Sequence, residues 1–159
     1  MKKILFVCLG NICRSPAAEA IFSALLEKGG LREDFSCDSA GTSSFSATNS
    51  PSDAQMTASA KKRGIKLTHY SRRICAADFD EFDYIIGMDD SNIRNIEKLR
   101  EKTAVGKAKV LKMAVFLPEG KDCVPDPYGG ENTLFEHVLD LLETGTANLL
   151  EFLKKQEEK

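Results

Sequence analysis

No long apolar run, no excess of one charge sign and no paired-cysteine pattern occurs in these 159 residues, and each absence removes a class of protein. No stretch approaches the ~20 consecutive apolar residues that a helix needs to span a bilayer. Lys2-Lys3 followed by Ile4 to Val7 imitates the start of a secretory signal, but the apolar part is too short and Asn11 and Arg14 interrupt its continuation. A net charge of −2 gives no bulk attraction for nucleic acid and leaves a small molecule or a protein as the expected substrate. The five cysteines (Cys8, Cys13, Cys37, Cys75, Cys123) are odd in number and irregularly spaced, which argues against a disulfide framework and for reduced thiols in a cytoplasmic protein. Only His69 and His137 could join them around a metal, and neither sits at finger or ribbon spacing, so no metal site and no cofactor is expected. A nucleotide-binding Walker loop is excluded because no G-x4-G-K-[ST] occurs. No internal repeat, linker or low-complexity tract divides the chain, and its length and ordinary hydrophobic balance predict a single domain over 1–159.

What is present is an alternation of strand and helix signals. Ile4, Leu5, Phe6 and Val7 form a continuous apolar run, as expected of a strand buried on both faces of a parallel sheet. Ser15-Pro16 reads as a hydroxyl cap followed by proline at the first helical position. Ala18, Ile21, Phe22 and Leu25 follow at helical spacing until Gly29-Gly30. Further strands are predicted over 35–40, 83–88 and 109–113, and helices over 53–63 and 91–101. A C-terminal helix carries the stripe Leu134, Val138, Leu141 and Leu142, with a frayed charged tail at 154–159. The alternation predicts an α/β fold with a parallel sheet and right-handed crossovers, in which ligands bind at the carboxyl ends of the strands.

The loop at the end of the first strand is Cys8-Leu9-Gly10-Asn11-Ile12-Cys13-Arg14-Ser15. A chain passing from a strand into a helix N-terminus turns successive N–H groups inward and makes an anion cradle. Gly10 and Asn11 are the residues best able to take the left-handed conformations of a tight ring. Arg14 offers a planar fork for two phosphoryl oxygens, and Cys8, facing the same N–H groups, is favoured as the nucleophilic thiolate. A C-x5-R spacing alone is also compatible with a packed strand-end cysteine and a surface arginine. The setting between a buried strand and a helix start favours the chemical reading.

Val7 to Pro16 resembles, almost letter for letter, the signature of the low-molecular-weight protein tyrosine phosphatases. The resemblance continues through Asp38 to Thr42, Phe82 to Ile85, Met88 to Asn92 and Val124-Pro125-Asp126-Pro127-Tyr128, and it covers essentially the whole chain. It implies one domain with a four-stranded parallel sheet, order 2-1-3-4, and helices on both faces. It also implies hydrolysis of phosphotyrosine monoesters, in a protein or a small molecule, through a phosphocysteine on Cys8, with inorganic phosphate as product. Arg14 would bind the phosphoryl group, and Asp126 would act as general acid and then base. Ser15 would be both helix cap and hydroxyl donor to Cys8. Leu9, Gly10, Asn11, Ile12 and Cys13 would line the substrate site, with Phe45 and Tyr128 as aromatic walls. Asn11 and Ser39 would brace the loop, and His69 would pair with Asp38 beneath it. Cys13 is either a packing residue or a resolving thiol for an oxidised Cys8.

Cys37, Cys75 and Cys123 are expected to be ordinary buried or semi-buried residues, and His137 partly exposed. The charge runs 61–63, 72–73 and 78–83 read as solvated faces. Two departures from the family pattern concern specificity: Tyr128 is followed by Gly129-Gly130 rather than a second tyrosine, and Ser52-Asp53-Ala54 follows Pro51 at the pocket rim. The first keeps a protein arginine phosphatase as an alternative, whereas Ile12, where that branch tends to carry threonine, favours phosphotyrosine. An arsenate reductase on the same fold would need a relay of thiols, and Cys75 has no partner cysteine beside it.

Overall fold

The computed structural model describes residues 1–103 and 106–159. Four strands, β1 (Lys2–Cys8), β2 (Phe35–Gly41), β3 (Tyr84–Gly87) and β4 (Lys109–Lys112), form one sheet in the order β2-β1-β3-β4. Every pairing is parallel. Around it lie α1 (Arg14–Gly29), α2 (Ala54–Lys61), the single turn α3 (Asp78–Glu81), α4 (Asp90–Glu101) and α5 (Asn132–Glu157). Order and class are those the resemblance implied.

The period-2 alternation of a strand sorts the sheet's side chains into two layers. Ile4, Phe6 and Cys8 join the core under α1 and α5, while Leu5 and Val7 join Phe79, Ile85 and Ile96 on the face covered by α3 and α4. Ile4 through Val7 are fully buried, and burying each of these side chains contributes about 1.5–3 kcal/mol. The register places Cys8 opposite Gly41, and Val7 opposite Gly87, so the carboxyl ends of β1, β2 and β3 open on one edge.

Gly41 allows the next segment to pass close to that edge. A Cβ there would lie 2.6 Å from the Ser46 Cβ and 2.8 Å from the Leu9 carbonyl oxygen. Gly41→Ala is therefore expected to destabilise the fold by about 1–3 kcal/mol, seen as a lower urea midpoint without a change of slope.

Several local readings are corrected. Ser15 does not cap α1. The helix begins at Arg14 with Cys13 at the cap position and no side-chain capping bond, because the Ser15 hydroxyl is drawn into the loop instead. Pro16 is the third helical residue, where its missing N–H still costs nothing, since first-turn N–H groups lack intrahelical acceptors. The acidic run 78–83 is a solvated face only at Asp80 and Glu81, which are exposed. Asp78 is buried and accepts from the Cys75 N–H and from Arg72, and Asp83 accepts from the Lys3 N–H. Nor are Arg63 and Arg72 free: Arg63 reaches from the end of α2 to Glu136 and Asp140 on α5, and Arg72 is held by Asp38 and Asp78. Cys75 is exposed rather than semi-buried.

Candidate active site

The loop from Cys8 to Ser15 surrounds the floor of a cleft of about 200 Å³ lined by Cys8, Leu9, Gly10, Ile12, Cys13 and Arg14. Ser43 and Phe45, from the segment after β2, and Asp126 and Tyr128, from the loop before α5, complete it. Among the described residues, none of the backbone N–H groups of residues 9–13 donates to an oxygen of the protein. Five consecutive unpaired donors running into a helix N-terminus form an anion cradle. Asn11 takes the left-handed conformation (φ 57°), as expected, but Gly10 does not. A Cβ at position 10 would meet the Phe45 ring at 3.5 Å, an ordinary van der Waals contact, so neither backbone conformation nor space demands glycine there.

The Asn11 side chain is almost fully buried and is not part of the lining, so only its backbone N–H belongs to the cradle. Its Oδ1 accepts the Arg72 N–H at 2.9 Å, which fixes the orientation of the amide, and also the His69 Nε2–H at 2.8 Å. Its Nδ2 donates to Ser15 Oγ at 2.8 Å and to Ser39 Oγ at 3.0 Å. The brace between Asn11 and Ser39 is thus as expected. Ser15 Oγ stands 3.0 Å from Cys8 Sγ, with the Ala40 carbonyl at 3.3 Å. Because Asn11 donates to this hydroxyl, its own single proton goes either to the Ala40 carbonyl or to the sulfur. His69 Nδ1 faces Glu19 at 3.1 Å more closely than Asp38 at 3.6 Å, so Glu19 is the nearer partner. The donor atoms of Glu19, Asp38 and His69 lie within 4.8 Å of one another, a spacing that a metal could bridge. Each is already engaged, however: Glu19 accepts from Ser39, Asp38 from Arg72, and His69 holds Asn11.

Arg14 is 2% exposed, and its fork is divided. Nη1 donates to Asp89 Oδ2 at 2.7 Å and to the Val124 carbonyl at 3.1 Å. Nη2 has only Asp126 at 3.7 Å, and Nε is buried with no partner. One edge is thus clamped, and the other, Nε with Nη2, makes no hydrogen bond within the protein, an arrangement with the fork geometry to take two oxygens. Burial disfavours the guanidinium charge, but Cys8, the hydrogen bond to Asp89 and Asp126 outweigh it and push its pKa upward.

Asp89 escaped sequence reasoning. It caps α4, accepting the Asn92 N–H on Oδ1 while Oδ2 holds Arg14. The Asp-x-x-Asn spacing signals the cap but not the second contact.

The other thiols divide by environment. Burial, reinforced by Asp53 and Cys8, pushes the Cys13 pKa upward. Burial with Glu19 raises Cys37 to about 12, and burial with Asp122 raises Cys123. All three are held as thiols at neutral pH.

The cleft walls are apolar, as expected. Leu9, Phe45 and Tyr128 are 44%, 49% and 66% exposed, leaving flat surface against which a ring can lie. Asp126 stands at the mouth with its Oδ1 accepting the Tyr128 N–H at 3.1 Å.

Residues 3–159 match the family model described as low molecular weight phosphotyrosine protein phosphatase. A Synechocystis sp. chain described as a low molecular weight protein-tyrosine-phosphatase is 49% identical over 156 residues, covering 97% of this chain and 98% of that one. The human low molecular weight phosphotyrosine protein phosphatase is 40% identical over 137 residues, 86% of each chain. The crystal structure of a Drosophila arginine phosphatase superposes with a TM-score of 0.87 at 32% identity, covering 97% of this chain and 98% of that one. With this cleft at the end of β1, the chain belongs to the low molecular weight phosphotyrosine protein phosphatase family.

Proposed function

We propose that the protein hydrolyses phosphotyrosine monoesters in two steps. The sulfur of Cys8 attacks phosphorus and the P–O ester bond breaks, while Asp126 delivers a proton to the departing phenolate oxygen. A water then loses its proton to Asp126 and attacks the phosphocysteine; the S–P bond breaks, releasing inorganic phosphate and restoring the Cys8 thiolate. The observation that carries this reading is the division of Arg14. Asp89 and Val124 hold Nη1, and the unpartnered Nε with Nη2 faces the same cleft as Cys8 and the five free N–H groups. The Ser15 hydroxyl, oriented by Asn11, steadies the thiolate and stabilises it as a leaving group in the second step. A phosphoryl group seated on the free edge of Arg14 also separates that arginine from Asp126, whose carboxyl is then left to face the ester oxygen.

The substrate class follows from the walls. Leu9, Ile12, Phe45 and Tyr128 form a slot that suits a flat aryl group, and a short phosphoserine would leave it unfilled. The partner is a phosphotyrosine-containing protein or a small aryl phosphate. The reaction needs Cys8 as a free thiol, a state that a reducing cytoplasm maintains. No helix among the described residues is long and apolar enough to cross a membrane. Cys13, in the same cleft, is the thiol positioned to trap a Cys8 sulfenic acid as a disulfide with loss of water.

The arginine phosphatase likeness makes the substrate test specific. In initial-rate assays, kcat/KM for phosphotyrosine is expected to exceed that for phosphoarginine by about 10-fold or more, the discrimination a shaped apolar pocket provides. The reverse preference would establish the N–P bond as the one this cleft cleaves.

A further inference from the structure

One polar group of the cleft has no part in the chemistry above. Three buried side-chain polar atoms among the described residues lack a hydrogen-bond partner: Arg14 Nε, Thr42 Oγ1 and Ser43 Oγ. Folded proteins leave few such atoms unpaired, because each has lost its hydration with nothing in return, so two of them at one cleft point to a ligand that completes them. Arg14 and Ser43 both line the cleft, and Thr42 does not. The place of Ser43 is fixed by its backbone. The Thr42 N–H donates to the Cys8 carbonyl and the Ser43 N–H to the Leu9 carbonyl, each at 3.0 Å, so this segment runs beside the first two residues of the loop that Arg14 ends. Ser43 also occupies the cap position of the 3-10 turn over Ser44–Thr48. Its carbonyl accepts from Ser46 there, but its hydroxyl makes no capping bond and is left free.

We propose that Ser43 is a phosphoryl-binding residue, its hydroxyl donating to the phosphoryl oxygen nearest Leu9 while Arg14 Nε and Nη2 take oxygens at the other end of the loop. This rests on the reading of the cleft as a phosphate-ester site. The ligand is the phosphoryl group itself, common to every ester substrate and to inorganic phosphate. Ser43 therefore acts on all of them alike, independently of the leaving group, unlike Asp126.

The test compares the full-length wild-type protein with Ser43→Ala and Ser43→Thr. It uses calorimetric binding of inorganic phosphate, kcat/KM on a good and a poor aryl leaving group, and thermal melting. In Ser43→Ala, phosphate binding is expected to weaken roughly 10-fold or more, the effect of losing a hydrogen bond to a charged group. kcat/KM should fall by a similar factor for both esters. The melting midpoint should stay level or rise, because no protein partner loses a bond, and Ser43→Thr should recover the binding. Unchanged phosphate affinity in Ser43→Ala would overturn the proposal, as would a loss that comes with a lower melting midpoint and is not recovered by threonine. A wild-type protein that binds no phosphate would overturn the phosphate-ester reading itself, and this proposal with it.

Discussion

Cys8→Ser is expected to abolish turnover of aryl phosphates, by roughly 10⁴-fold or more, while leaving inorganic phosphate binding in place. A serine hydroxyl at this position is a neutral alcohol, much less nucleophilic than a thiolate, and Asp126, which enters the first step protonated as the acid, cannot also take its proton. What binds the phosphoryl group is untouched: the N–H groups of residues 9–13 and the free edge of Arg14 do not depend on the sulfur. The pair of readouts matters, because a variant that lost both activity and phosphate binding would have a collapsed loop rather than a missing nucleophile. Retained turnover would move the nucleophile elsewhere.

Asp126→Asn is expected to slow hydrolysis of phosphotyrosine by about 10²–10⁴-fold, the usual contribution of a general acid, and to slow an activated nitrophenyl ester much less in its first step. A phenolate with an ordinary conjugate acid near pKa 10 needs a proton as it leaves, whereas a stabilised phenolate leaves without one. The second step suffers for every substrate, since Asp126 is also the base that activates water, so the phosphocysteine should accumulate. Burst kinetics on the nitrophenyl ester separate the two steps. A rate that falls equally for both esters with no burst would make Asp126 a loop-shaping residue, held by its bond to the Tyr128 N–H.

The parts of this site legible in the sequence are those carried by short segments. The apolar run at 4–7 suits a buried strand, and the C-x5-R loop between it and a helix start holds most of the cleft floor in one stretch. The remainder is built by contacts between residues far apart in the chain. Asp89 clamps Arg14 across 75 residues, and Arg72 offers its N–H to Asn11 across 61. Read locally, each is an ordinary charge near a helix or a turn. Arg63, Arg72 and Asp78 were misjudged for the same reason, since a charge is solvated only until the fold brings an opposite one to it. Ser15 failed differently: the Ser-Pro pair does signal a helix start, but a nearby thiol and amide compete for the hydroxyl. The left-handed residue of the loop proved to be Asn11 alone. Glycine at 10 has neither a left-handed backbone nor a close contact, which the spacing alone does not reveal.

The central claim is that phosphoryl transfer passes through the sulfur of Cys8. Asp126→Asn, which should stall the second step, can be mixed with a nitrophenyl phosphate, quenched within the burst and digested for peptide mass mapping. The account predicts phosphoryl mass on the peptide carrying Cys8, absent when Cys8→Ser is added. A burst of product with the phosphoryl group on any other residue would contradict it, as would steady wild-type turnover in which no phosphorylated peptide is ever captured.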